Sequence, residues 1–184
     1  TYTHSNKHKH RSWGIMGGFS QEFDVTSISA AYNFTKSSKS ENTELGVRGS
    51  IYYDIWKLIY PAEIRNGKEY RFGNDDDDYG QDTRLTATVT ISLAQVLTKK
   101  AQFLVTSDFV YQKGILYTPF HRVYFNDGVT DEEIKTMLPE YLPDSRFKIP
   151  VGIRFNYYLT DKIVSRLYYR YYFDDFGMTA HTFN

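Results

Sequence analysis

Apolar and polar residues alternate with period two along most of this chain. The clearest stretch is 146–159. Phe147, Ile149, Val151, Ile153, Phe155, Tyr157 and Leu159 fall on one side, and Arg146, Lys148, Pro150, Gly152, Arg154, Asn156 and Tyr158 on the other. Successive side chains of a strand point to opposite faces, so this is a two-faced strand. Strands in soluble proteins usually run ~5–6 residues, whereas an oblique crossing of an outer membrane takes ~9–11. Here the phase holds for fourteen residues.

Six further segments alternate in the same way. Their apolar sides are marked by Trp13, Ile15 and Phe19; by Ile28, Tyr32 and Phe34; by Leu45, Val47, Ile51 and Tyr53; by Leu85, Val89, Ile91 and Leu93; by Phe103, Val105, Phe109 and Tyr111; and by Leu167, Tyr169, Tyr171 and Phe173. An eighth begins near Met178. The opposite sides are rich in Thr, Ser, Gly, Arg and Asp, as a wet barrel interior would be. Residues 96–100 and 159–162 read as tight turns that resemble each other, and 23–25 as a third, while 57–81 and 114–145 are long. Short turns on one rim and long loops on the other are the outer-membrane arrangement.

The expected fold class is therefore all-β. We read residues 1–184 as one domain, part of an antiparallel up-and-down transmembrane β-barrel, with about 7–8 strands of a larger barrel present and the two long loops outside the cell. Strict up-and-down order puts the turns at Asp24 and Thr98 on opposite rims. Either 57–81 holds a further strand, for which 69–72 is the candidate, or 35–42 is not a reversal. Within the second long loop, Thr130 and Glu133 match a capping box and predict a short helix over about 131–138.

Composition narrows the function. The 22 basic and 22 acidic residues cancel, so no nucleic-acid partner is expected. Cysteine is absent, which excludes disulfides, thiolate metal sites and a cysteine nucleophile. Tyrosine (17) and phenylalanine (13) are abundant, and tyrosine suits membrane interfaces. No run of ~18 apolar residues suggests a transmembrane helix. The chain opens and closes in strand-like sequence, which reads as a piece of a longer protein.

Several stretches carry a resemblance. Ser92–Lys100 (SLAQVLTKK), 108–125 (DFVYQKGILYTPFHRVYF), 142–158 (LPDSRFKIPVGIRFNYY) and 168–183 (YYRYYFDDFGMTAHTF) resemble bacterial outer-membrane proteins known only as domain-of-unknown-function family 3570, in its Bacteroidota branch. Residues 82–184 match well and 11–60 loosely. The resemblance implies an outer-membrane β-barrel longer than this chain. It implies no reaction, substrate or cofactor.

Candidate chemistry is sparse. Arg48, Arg84, Asp108, Arg154, Arg166, Arg170 and Asp174 fall on polar sides, as does Asp54. They would form either a charged lining that selects anions or a salt-bridged network that fills the barrel. Equal numbers of each sign favour the network. Phe120, His121 and Arg122 form an aromatic and basic loop motif suited to a partner contact or to simple packing. Asp76 and Asp78 lie in an acidic loop without EF-hand spacing, so a solvated loop is the better reading than a metal site. His4, His8 and His10 are interleaved with basic residues and read as an exposed strand extension. No Gly-x-Ser-x-Gly and no zinc helix occurs, and no enzyme is expected. The expected role is a plugged outer-membrane barrel that anchors or joins a larger cell-surface complex. Its partners would be lipid and other surface proteins, with no cofactor. The alternatives are a pore for small polar or anionic solutes and, of a different class, a soluble carbohydrate-binding β-sandwich.

Overall fold

The computed structural model describes residues 1–60, 80–125 and 136–184. Nine strands form one antiparallel sheet: β1 (Tyr2–Asn6), β2 (Arg11–Gln21), β3 (Val25–Ser37), β4 (Thr43–Lys57), β5 (Gln81–Thr98), β6 (Ala101–Gly114), β9 (Ser145–Thr160), β10 (Ile163–Asp174) and β11 (Thr179–Phe183). A separate two-stranded ladder, β7 (Arg122–Phe125) with β8 (Thr136–Pro139), lies between β6 and β9 in the chain. The sheet follows chain order throughout and is not closed, since β1 and β11 each pair on one side.

All seven long alternating segments are strands, and 179–183 is the eighth. The ninth is β1. Residues 7–10 turn the chain back through a single 3-10 turn, Lys7–Lys9, and His10 at φ 48°. The expected strand extension is therefore a separate strand, paired antiparallel with β2. Polar residues that keep the phase of a strand do not reveal a reversal. The break at 38–42 is a true reversal, because β3 and β4 pair along their whole lengths. The turn at 22–24 thus lies on the same rim as the long connections, and the expected division into a short-turn rim and a long-loop rim is incomplete. β4 and β5 are direct neighbours; the candidate strand 69–72 lies outside the described residues. Of the helix expected over 131–138, residues 131–135 lie outside the described residues, and 136–138 are corrected. Thr136–Pro139 is a strand, where pairing with Arg122–Phe125 overrides the local capping pattern.

The two similar hairpins share one device. In each, a threonine hydroxyl accepts the backbone N–H two residues on: Lys100 to Thr98 at 3.1 Å and Lys162 to Thr160 at 3.3 Å. Neither turn holds a residue at positive φ, and each carries a register shift beside it. Such a bulge supplies the twist that a glycine would otherwise provide.

Away from the shifts beside those two turns, register carries the two faces across the sheet. Trp13, Phe34, Val47, Ile91, Ser107, Val151 and Tyr171 stand in one row, each opposite the next. The apolar face is exposed: Phe19 at 69%, Ile51 at 54%, Ile153 at 45% and Leu167 at 58%. Among the described residues the buried apolar side chains are Ile115, Pro119 and Pro150. Most buried positions of the sheet lie on the polar side, at Gly14, Gly46, Asp54, Pro150, Gly152 and Asp174. The polar side is thus the enclosed one, the reverse of a soluble sheet packed on a core.

The apolar band does not run square to the strands. In one row Arg11 and Lys36 are followed by Leu45, Leu93, Val105, Ile153 and Tyr169. In another, Phe19, Ile28, Tyr53 and Leu85 are followed by Lys113 and Ser145. The band therefore slides toward the end holding residues 99–100 and 161–162 as the chain proceeds. The drift is about four to eight residues over five or six strand spacings. At ~3.3 Å per residue and ~4.8 Å between strands, that is a tilt of roughly 25–50°.

Candidate functional site

Charged side chains of the strands gather on the polar face in two groups. The first is at the end holding the long connections. Arg84 and Asp54 are directly opposite on β5 and β4. Arg84 donates to Asp54 Oδ2 from Nε at 3.1 Å and from Nη2 at 3.0 Å, and Ser27 Oγ donates to Oδ1 at 2.6 Å. The guanidinium also lies over the Trp56 ring, 4.8 Å from its centroid. At the same end Asp174 accepts from Arg146, from the Tyr172 hydroxyl at 2.6 Å, and from the backbone N–H groups of Phe176 and Met178, each at 3.0 Å. Asp174 thus ties β9, β10 and the turn into β11 together. These contacts are structural in character: buried carboxylates with both oxygens hydrogen-bonded.

The second group is different. Arg154 on β9 is directly opposite Tyr168 on β10, and its guanidinium lies 5.7 Å from that ring's centroid. The Tyr168 ring leans over Gly152, where an added Cβ would meet its hydroxyl at 3.4 Å. Arg166 and Arg170 flank Tyr168 on the same face and stand opposite Asn156 and Gly152. All three arginines are exposed, and none has an ion pair among the described residues. Arg48, on β4, is in the same state. Asp108 is engaged by Thr90, whose hydroxyl donates at 2.6 Å. The Asn156 amide oxygen is buried without a hydrogen-bond partner.

Of the polar-side charges expected to form a network, the structure pairs Arg84 with Asp54, and Asp174 with Arg146, which lay outside that set. Arg166 and Arg170 share the face of Asp174 but do not reach it. Arg146 takes that place, because it lies one diagonal step from Asp174 in the β9–β10 register. Sequence parity marks the face, whereas cross-strand register chooses the partner.

The aromatic loop is partly packed. Pro119 is fully buried, Phe120 is 42% exposed and His121 is exposed, with its N–H donating to Thr118 O at 3.0 Å. Arg122 begins β7. Burial, followed by a side-chain hydrogen bond with Tyr60, pushes the Tyr117 phenol up to about 12. His4 stands against Trp13, and His10 Nδ1 lies 3.7 Å from Glu41 Oε1. Asp76 and Asp78 lie outside the described residues. His181 meets the Tyr169 hydroxyl at 3.0 Å on the apolar face.

A family model described as "Protein of unknown function (DUF3570)" matches residues 2–184. No curated protein and no solved structure matches the chain.

Proposed function

The chain belongs to the family of unknown function DUF3570, and for it we propose the wall of a transmembrane β-barrel in a bacterial outer membrane. The apolar face meets lipid, and the polar face lines an interior that receives small anionic solutes. One observation carries this reading: the exposed apolar band crosses the strands obliquely, at roughly 25–50°, a range that includes the ~35–45° tilt of membrane-barrel strands. A soluble carbohydrate-binding sandwich would cover the face that holds Ile153 and Ile51, and here both are open. Strand lengths of 11–18 residues from β2 to β5 exceed what a ~25 Å apolar band requires.

Within this reading the role is non-catalytic. Charge on the polar face decides what the interior takes. Arg48, Arg154, Arg166 and Arg170 lack acidic partners among the described residues, so the face stays positive where those strands meet solvent. Rings of such charge select anions. A second reading is a plugged barrel that anchors a surface complex. Its support is the long-connection end, where Asp54 and Asp174 are neutralised by arginines.

A lipid test separates the faces. Cysteine placed at Ile153 or at Thr106, on adjacent strands but opposite faces, is labelled with an environment-sensitive fluorophore in reconstituted vesicles. Brominated lipid should quench the label at 153 and spare that at 106. Equal quenching at both positions defeats the membrane assignment.

A further inference from the structure

The second polar group has features that a simple wet wall does not need. Arg154, Arg166 and Arg170 surround one tyrosine on neighbouring strands. Like charges so placed repel, and none of the three makes an ion pair among the described residues. Beside them, on the same face, lies a recess of about 270 Å³. Its lining comes from β4, β5, β6 and β9, and most of it shares one parity. Ala94 and Val96, Gln102 and Leu104, and Arg154 and Asn156 all have polar-face parity, so the recess opens on that face. Arg154 forms one wall, and Glu44 on β4, with Glu41 in the turn before it, another. Asn156, opposite Arg166, brings its unpartnered buried oxygen to this wall.

We propose that this recess and the adjoining arginines bind a small hydroxylated anion, a sugar acid or sugar phosphate in size and chemistry. Arg154 and Arg166 hold the acidic group, since guanidinium forks match carboxylate and phosphate oxygens. Arg170 adds charge from two residues beyond Tyr168. Asn156 lines the recess, and a turn of its side chain lets its buried, unpartnered oxygen accept a ligand hydroxyl. The Glu44 carboxylate at the far wall keeps the acidic end beside Arg154. At about 270 Å³ the recess is below the ~300–1,000 Å³ of drug-sized sites, which limits the occupant to roughly one sugar ring. The assignment rests on the polar face being an interior, because that is how a solute would arrive.

The probe is D-glucuronate, titrated calorimetrically into the detergent-solubilised protein, with glucose and acetate as controls. Glucuronate should bind in the millimolar range or tighter and better than either control. Arg154→Gln with Arg166→Gln should weaken it at least tenfold, and Arg154→Lys with Arg166→Lys should weaken it less. Asn156→Ala should weaken glucuronate and leave acetate unchanged. Glucose binding as well as glucuronate, or a glutamine pair without effect, overturns the site. The two readings fail separately: protein that inserts into vesicles but ignores glucuronate sinks this inference alone, and protein that binds glucuronate but shows no lipid contact sinks the barrel reading alone.

Discussion

Arg84 and Asp54 face each other across β5 and β4, 3.0 Å apart, at the end of the sheet where the long connections leave. Asp54 is 7% exposed, and its second oxygen is held by Ser27. Arg84→Met therefore strands a buried carboxylate. The full loss of a buried pair costs about 3–5 kcal/mol. Because the Arg84 side chain is 29% exposed, about 2–3 kcal/mol is the better expectation. Asp54→Asn with Arg84→Met should recover part of that loss. Urea midpoints of the single and double variants in lipid vesicles measure it, and a double variant worse than Arg84→Met alone contradicts it.

Ile153 stands between Val105 and Tyr169 in the apolar band. If that band meets lipid, Ile153→Arg should cost about 2–4 kcal/mol of folding into vesicles. Ile153→Leu should stay within about 0.5 kcal/mol. Assembly of the arginine variant at the parent's yield and stability would place the band elsewhere.

Gly114 ends β6 at φ 105°, and a Cβ there would collide with the Thr83 carbonyl on β5. Two penalties coincide, an unfavourable backbone region and a clash with an immovable partner. Gly114→Ala should destabilise by roughly 2 kcal/mol or more. Gly49, where an added Cβ meets nothing within 4 Å, is the control. Equal denaturation midpoints for the two alanine variants would count against this geometry.

The Tyr117 phenol, pushed up to about 12 by burial and by Tyr60, favours its neutral form in the folded chain. Its folded value is above the ordinary value of 10.0. The associated stability is therefore complete below pH ~10 and lost as the pH rises toward ~12. Difference absorbance near 295 nm should show a late-ionising component that is smaller by one tyrosine in Tyr117→Phe. Tyr117→Phe should also lose less stability across that window, and parallel curves for both proteins would refute the link.

Chain order places the turn 99–100 and the exposed Tyr141 (86%) at opposite ends of the sheet. With no native cysteine, single-cysteine variants are clean reporters. On intact cells an impermeant thiol reagent should label Tyr141→Cys and not Lys99→Cys. The reverse pattern would turn the proposed barrel upside down.

The strands were legible because alternation over nine or more residues has few explanations. Phe147 to Leu159 and Leu85 to Leu93 declare both a strand and its faces. What escaped was non-local. Lys7–Lys9 reverses the chain without a proline or glycine, and Thr136–Pro139 follows its partner strand against its own capping signal. The charged face was readable by parity, yet the choice of Arg146 by Asp174 depends on how β9 and β10 align. The recess needs four strands in register, and no single segment hints at it.

The order of the sheet also bears on how it assembles. Each strand from β2 to β6 pairs with the one just before it, and so do β10 and β11. Most closures therefore span only a few residues, and their entropic cost is small. The sheet can zip from one hairpin to the next, with the polar turns leading and no search for distant partners. The exceptions are the joining of β4 to β5 and of β6 to β9, where long segments intervene. These two docking events should set the rate, because non-local contacts are rewarded only after the loop is closed. Shortening either connection should speed assembly more than strengthening any strand.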